Sequence, residues 1–172
     1  MRRKPAKTRR GLSLLEMMAA TAIMATITAS VVVVMRSGYA VWNAQEGDID
    51  ILENGHGVLR HVVTQLRQAT AVTAITASSN TQGSLSFTTS SGVTRTWARN
   101  ASSDVYFNNG TSNQLLAKSI NSLTFTGYEA DGVTATTTVA DIQVVQCQVQ
   151  ITLPRGAGVT RTMTTRAWIR SW

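Results

Sequence analysis

The sequence predicts an α+β fold: one long N-terminal helix followed by an antiparallel β domain. Three observations predict it. An apolar run extends from Leu12 to Met35 behind a basic leader. Apolar residues then recur through Ile51/Leu52, Gly55, Val58/Leu59, Val62/Val63, Leu66 and Ala69, the spacing of an amphipathic helix. From about Ser78 the composition shifts to Ser, Thr, Gly and Asn with short alternating runs, the pattern of strands and turns. A helix followed by a meander of strands is an α+β layout, and the sheet supplies the cover that the stripe of Ile51–Ala69 requires.

The helical reading covers Leu12–Thr73. No proline lies between Pro5 and Pro154, so nothing forces a break. Residues 12–36 are apolar all round and long enough to span a bilayer, for which about 20 residues suffice. Tyr39 and Trp42 come next and suit a membrane interface. Residues 37–77 form the amphipathic part, where Arg60 and Arg67, seven apart, share a helical face. Gly38, Gly47, Gly55 and Gly57 weaken this part by about 1 kcal/mol each relative to alanine, and predict a bend near Gly47-Asp48.

The β domain, residues 78–172, carries six strand candidates: Ser84–Thr89, Val93–Ala98, Val105–Phe107, Ser122–Glu129, Ala140–Leu153 and Val159–Arg170. Ser90-Ser91-Gly92, Asn108-Asn109-Gly110 and Asp131-Gly132 are the turn signals between them. In the longest candidate Ile142 and Val144 share one parity, whereas Val145, Cys147, Val149, Ile151 and Leu153 share the other. Side chains alternate strictly along a strand, so this slip predicts a bulge near Val144-Val145. Gln146, Gln148 and Gln150 then face water or a partner.

Length allows one domain beyond the helix, at 172 residues. The net charge of +7 suggests nucleic acid, but Arg2, Arg3, Lys4, Lys7, Arg9 and Arg10 all sit in the leader. The rest of the chain is nearly neutral and shows no clustered basic face, so no nucleic-acid partner is expected. A basic leader before an apolar span stays cytoplasmic, and the chain beyond Arg36 is exported. Cys147 is the only cysteine and reads as a buried small hydrophobe.

Candidate chemistry is thin. His56 and His61 are five apart, whereas helical metal pairs favour a spacing of four; both read as surface or packing histidines. Asp48, Asp50 and Glu53 lack the spacing of a calcium loop and read as a solvated face. No nucleophile elbow, phosphate loop or dinucleotide fingerprint occurs. No catalytic residue, cofactor or metal is expected, and the chain is not read as an enzyme. Trp97 and Trp168 read as domain packing, and Trp172 as an exposed end.

The remaining signal is Gly11-Leu12-Ser13-Leu14-Leu15-Glu16. Glu16 is the only charge between Arg10 and Arg36. A charge at the centre of a membrane helix costs about 2.5–3.5 kcal/mol on insertion scales, so an intramembrane carboxylate points to function and to a partner. Gly11, Leu12 and Glu16 together resemble the class III signal of type IV prepilins and type II secretion pseudopilins. That family's pattern is a basic leader ending in glycine, then a hydrophobic residue, with glutamate fifth in the mature chain. Leu12 stands where phenylalanine is commoner.

The resemblance implies cleavage of leader 1–11 after Gly11 and N-methylation of Leu12 by a prepilin peptidase. It implies that residues 12–36 serve as transmembrane and assembly helix, with Glu16 pairing an N-terminal amine during docking. The β domain would be periplasmic, on a single-pass protein of the bacterial inner membrane. The partners implied are other pilins or pseudopilins, the inner-membrane assembly platform, the peptidase and lipid. Leu66-Arg67-Gln68-Ala69, Leu123-Thr124-Phe125 with Tyr128, and Asp131-Gly132 are also similar to J-type minor pseudopilins, which implies a minor subunit.

Three other readings compete. An ordinary signal peptide has an apolar region of 7–15 residues, shorter than Leu12–Met35. A plain anchor leaves Gly11 and Glu16 without a role. A membrane-anchored periplasmic binding module or adhesin that does not polymerise suits the Ser/Thr/Asn-rich loops, but has no need of Glu16.

Overall fold

The computed structural model describes residues 13–154 and 158–169. The leader, Gly11, Leu12, Arg170 and Trp172 lie outside the described residues. The chain divides into two compact units, Met1–Asn43 and Ala44–Trp172.

One helix, α1, runs from Leu14 to Leu66. Its part within the first unit is exposed at every described position, and the helix is long and apolar enough to cross a membrane. Four of its hydroxyl side chains find partners within the helix. Those of Thr21, Thr26, Thr28 and Ser30 donate to the carbonyls of Met18, Ile23, Met24 and Thr26, one turn back. That arrangement suits a medium without water, where every polar group needs a protein partner.

The helix is continuous through Gly47-Asp48, where the glycines predict a bend. Glycine weakens a helix by an amount that neighbouring turns offset, whereas proline would remove a bond and clash. The helix also ends earlier than expected, at Leu66 rather than Thr73. Arg67 donates its amide to Val63, and Ala69–Ile75 is then strand β1. Thr70, Val72, Thr73 and Ile75 are β-branched, which disfavours helix and favours a pleated partner.

Strand β1 begins a five-stranded antiparallel meander with β2 (Ser84–Thr89), β3 (Thr94–Arg99), β4 (Val105–Asn108) and β5 (Asn113–Ala117), paired in that order. The second sheet takes β6 (Ile120–Tyr128), β7 (Ala135–Thr136), β8 (Val144–Thr152) and β9 (Thr160–Trp168) in the order β7-β6-β8-β9. Two sheets therefore replace the single meander expected. They are joined at Gly83, whose amide donates to the Leu123 carbonyl at 2.8 Å, and at Leu123, whose amide donates to the Thr81 carbonyl at 3.0 Å.

The phase slip has a different cause from the one expected. Pairing of β6 with β8 is regular across Tyr128↔Val144 and Gly127↔Val145, so no bulge lies there. A single 3-10 turn at Val139–Asp141 delivers Ile142 before the strand begins. Ile142 fills the space over Gly127, where a Cβ would lie 2.7 Å from its Cδ1. Val144 is buried on the opposite face, paired with Tyr128 and Trp168. Gln146, Gln148 and Gln150 are half-exposed on that outer face, as alternation requires.

The core lies between the second half of α1 and the inner faces of both sheets. Val58, Leu59, Val62 and Leu66 meet Phe87, Trp97, Phe125, Val149 and Ile151 there. Cys147 is fully buried among them.

Candidate functional site

The helix start is built by a reciprocal pair. The Ser13 amide donates to the Glu16 carboxylate Oε2 at 2.9 Å, and the Glu16 amide donates to Ser13 Oγ at 3.2 Å. Each side chain satisfies a backbone donor that the first helical turn leaves without a partner, which is the capping-box arrangement. The carboxylate also sits where the helix dipole favours negative charge. The signal was legible as Ser-x-x-Glu at 13–16. Reading Glu16 only as a charge in an apolar run missed Ser13. Gly11 and Leu12, the expected processing residues, lie outside the described residues.

Further along the first unit, Met35, Gly38, Tyr39 and Trp42 line a shallow hollow on one side of α1. Tyr39 and Trp42 are both exposed. A ring pair on the surface of an apolar helix is the arrangement of an interfacial anchor.

The second unit gathers its aromatic rings around Trp97. Phe87 stacks on it at 4.8 Å, and the Phe107 ring lies at 5.3 Å. The indole N–H donates to Nδ1 of His61 at 3.1 Å, which fixes that nitrogen as an acceptor on a neutral ring. Burial first, and then the Arg95 guanidinium, hold the His61 pKa below its ordinary value. Arg95 donates to Gln65 and, at 3.5 Å, to Gln68, binding the end of α1 to β3. His56 is exposed, so the two histidines do not converge, and both are surface or packing residues.

On the outer face of the second sheet, Arg166 lies 4.7 Å over the Tyr128 ring. It donates from Nε to Gln146 at 2.7 Å and from a terminal nitrogen to the Gly132 carbonyl at 3.2 Å. Trp168 lies on this face and is 59 % exposed, so it does not pack the core as expected. Trp97 does, at 0 % exposure. Burial pushes the Cys147 thiol well above its ordinary pKa, which removes it as a nucleophile.

No family model, curated protein or solved structure matches the chain. What the structure establishes is an apolar N-terminal helix of membrane-spanning length that continues into a domain with antiparallel sheets. That layout is compatible with a pilin-like fold.

Proposed function

We propose that the chain is a structural subunit of a type II secretion pseudopilus or type IV pilus. It is matured by cleavage after Gly11 and methylation of Leu12, and it assembles through its N-terminal helix. The observation that supports this most is the placement of Glu16. Its carboxylate already contacts the Ser13 amide at 2.9 Å, and Leu12 is the residue bonded to that amide. A cut after Gly11 would put a cationic amine beside a carboxylate at the head of an apolar helix. Such a pair lowers the cost of carrying either charge into lipid. The subunit then works by assembly with other pilins and the membrane platform, and performs no catalysis itself.

The capping box requires a test that separates cap from charge. Glu16→Gln keeps the capping hydrogen bonds, because glutamine serves as well as glutamate in that position, but removes the charge. Ser13→Ala removes part of the cap and keeps the charge. The full chain is expressed in a bacterium with an active prepilin peptidase and pilus or pseudopilus subunits. Mass spectrometry should find methyl-leucine from Leu12 in parent and both variants, and Gly11→Ala should remain an intact precursor. Co-purification with the other subunits should fall for Glu16→Gln and persist for Ser13→Ala. An intact leader on the parent chain would overturn the proposal. Normal incorporation of Glu16→Gln would show that the charge is dispensable for docking, and a mature parent chain that never co-purifies with the other subunits would favour a simple anchor carrying a binding module.

A further inference from the structure

A hollow of about 470 Å³ opens on the first sheet, over β3, β4 and β5. Trp97, Val105 and Phe107 turn into the core, so strand alternation turns Ala98, Tyr106 and Asn108 outward. Ala98 pairs with Tyr106 across the strands, and the small side chain beside the large one leaves the space. Arg99 and Asn100, where β3 ends, and Asn113 of β5 also line it. The volume lies in the range of small-molecule sites, about 300–1,000 Å³.

The polar groups of this hollow are biased toward donors. The Asn100 side-chain oxygen accepts from the Asp104 amide at 2.9 Å, and that of Asn108 accepts from the Gly110 amide at 2.8 Å. Both oxygens are thus engaged in turns, whereas each NH2 group keeps two donors that meet no partner among the described residues. Arg99 donates from Nε to the Ile120 carbonyl at 2.6 Å and from Nη2 to Ser103 Oγ at 2.9 Å. Its other terminal nitrogen, Nη1, has no partner among the described residues. Held at two nitrogens, the guanidinium is a fixed positive charge. No acidic residue is among the described residues that line the hollow.

We infer that this hollow binds a uronic acid residue of an acidic saccharide. The ligand's carboxylate takes the unpaired donors of Arg99, Asn100 and Asn108. Bonds from a guanidinium to a carboxylate are charge-assisted and roughly twice as strong as neutral ones. The sugar ring suits Tyr106, which offers an aromatic face to ring C–H groups and a hydroxyl to ring hydroxyls. Asn113 is exposed and offers both an oxygen and an NH2 group, which hydroxyls can meet in either role. An apolar ligand would bury these donors without partners, at a cost. A neutral sugar would leave the Arg99 charge without its counterpart. The site uses no residue of α1 and does not depend on assembly of the chain.

The test uses the full-length chain in a detergent without a sugar headgroup, with binding read by calorimetry. Trigalacturonate is the probe, its methyl ester is the same saccharide without charge, and acetate is the carboxylate without a sugar. Trigalacturonate should bind, and the ester and acetate should each bind at least about tenfold more weakly. Asn100→Asp and Asn108→Asp keep the oxygens that accept from the Asp104 and Gly110 amides but replace the donors with negative charge. Asn113→Asp makes the same change at an exposed position outside those turns. Each should weaken trigalacturonate binding at least about tenfold, because like charges now face each other, while Trp97 fluorescence stays native. Gln148→Glu adds the same charge to the second sheet and should bind as the parent does. No binding of trigalacturonate at millimolar concentration, equal binding of the ester or of acetate, or undiminished binding by the Asp variants would each overturn the inference. An equal loss in Gln148→Glu would assign the effect to net charge and overturn the site as well.

Discussion

His61 couples its own protonation to the packing of Trp97. Its Nδ1 accepts the Trp97 indole proton, and an imidazolium has no lone pair to offer. Burial and Arg95 place its folded pKa below the unfolded value. The unfolded chain therefore binds the extra proton first, and stability falls as pH drops through about 6.5, the ordinary histidine value. Thermal unfolding at pH 7.5 and 5.5 should show a lower midpoint at the acid value. His61→Asn offers an amide oxygen as acceptor and does not titrate, so it should lose most of that difference. An unchanged pH dependence would assign it to other groups. Cys147 gives a second expectation: with its thiol buried and its pKa raised, it should resist thiol reagents in the folded protein and react once denatured. Its role as a small core residue was legible from its place in a Val/Ile alternation. The hydrogen bond of His61 was not, because Trp97 is 36 positions away in sequence.

The second half of α1 presents two faces whose substitutions should have opposite effects. Leu66 is fully buried, and Leu66→Ala should destabilise by about 2–5 kcal/mol in chemical unfolding. Gly57 is exposed with open space around it, so Gly57→Ala should stabilise by about 1 kcal/mol through helix propensity alone. Gly55 lies on the buried face, and a Cβ there would run into the thioether end of Met163. Gly55→Leu should therefore destabilise, because the core must open to admit it. A stabilising effect of Gly55→Leu would show that β9 does not pack on the helix there. Periodicity already put Gly55, but not Gly57, on the apolar stripe. The packing adds that Gly55 lies beneath Met163 of β9.

Across the whole molecule the division falls at Asn43/Ala44. The first unit exposes an apolar helix surface that water cannot solvate without cost, and the second buries a core of its own. The full chain should remain in the membrane fraction after alkaline carbonate extraction. A chain beginning at Ala44 should be soluble and keep the emission of a buried Trp97. Release of the full chain by carbonate would refute the anchor. Aggregation of the shorter chain without native fluorescence would show that the domain needs the first unit to fold.

The sequence by itself determined the α+β class, the helix of membrane-spanning length and the helix face that meets the core. All three arise from local periodicity, which a single chain displays without knowledge of its partners. It also placed the turns well. At Asn109-Gly110 the chain reverses with Gly110 at φ +95°, and the Asn109 side chain accepts from the amides of Thr111 and Ser112. Only the tertiary structure decided that Ala69–Ile75 and Asn113–Ala117 are strands. Neither alternates cleanly, and each is defined by the neighbour it pairs with, β2 for the first and β4 for the second. The division into two sheets, the hydrogen bond from the Trp97 indole N–H to His61 and the exposure of Trp168 are likewise tertiary, because each depends on residues far apart in sequence meeting in space.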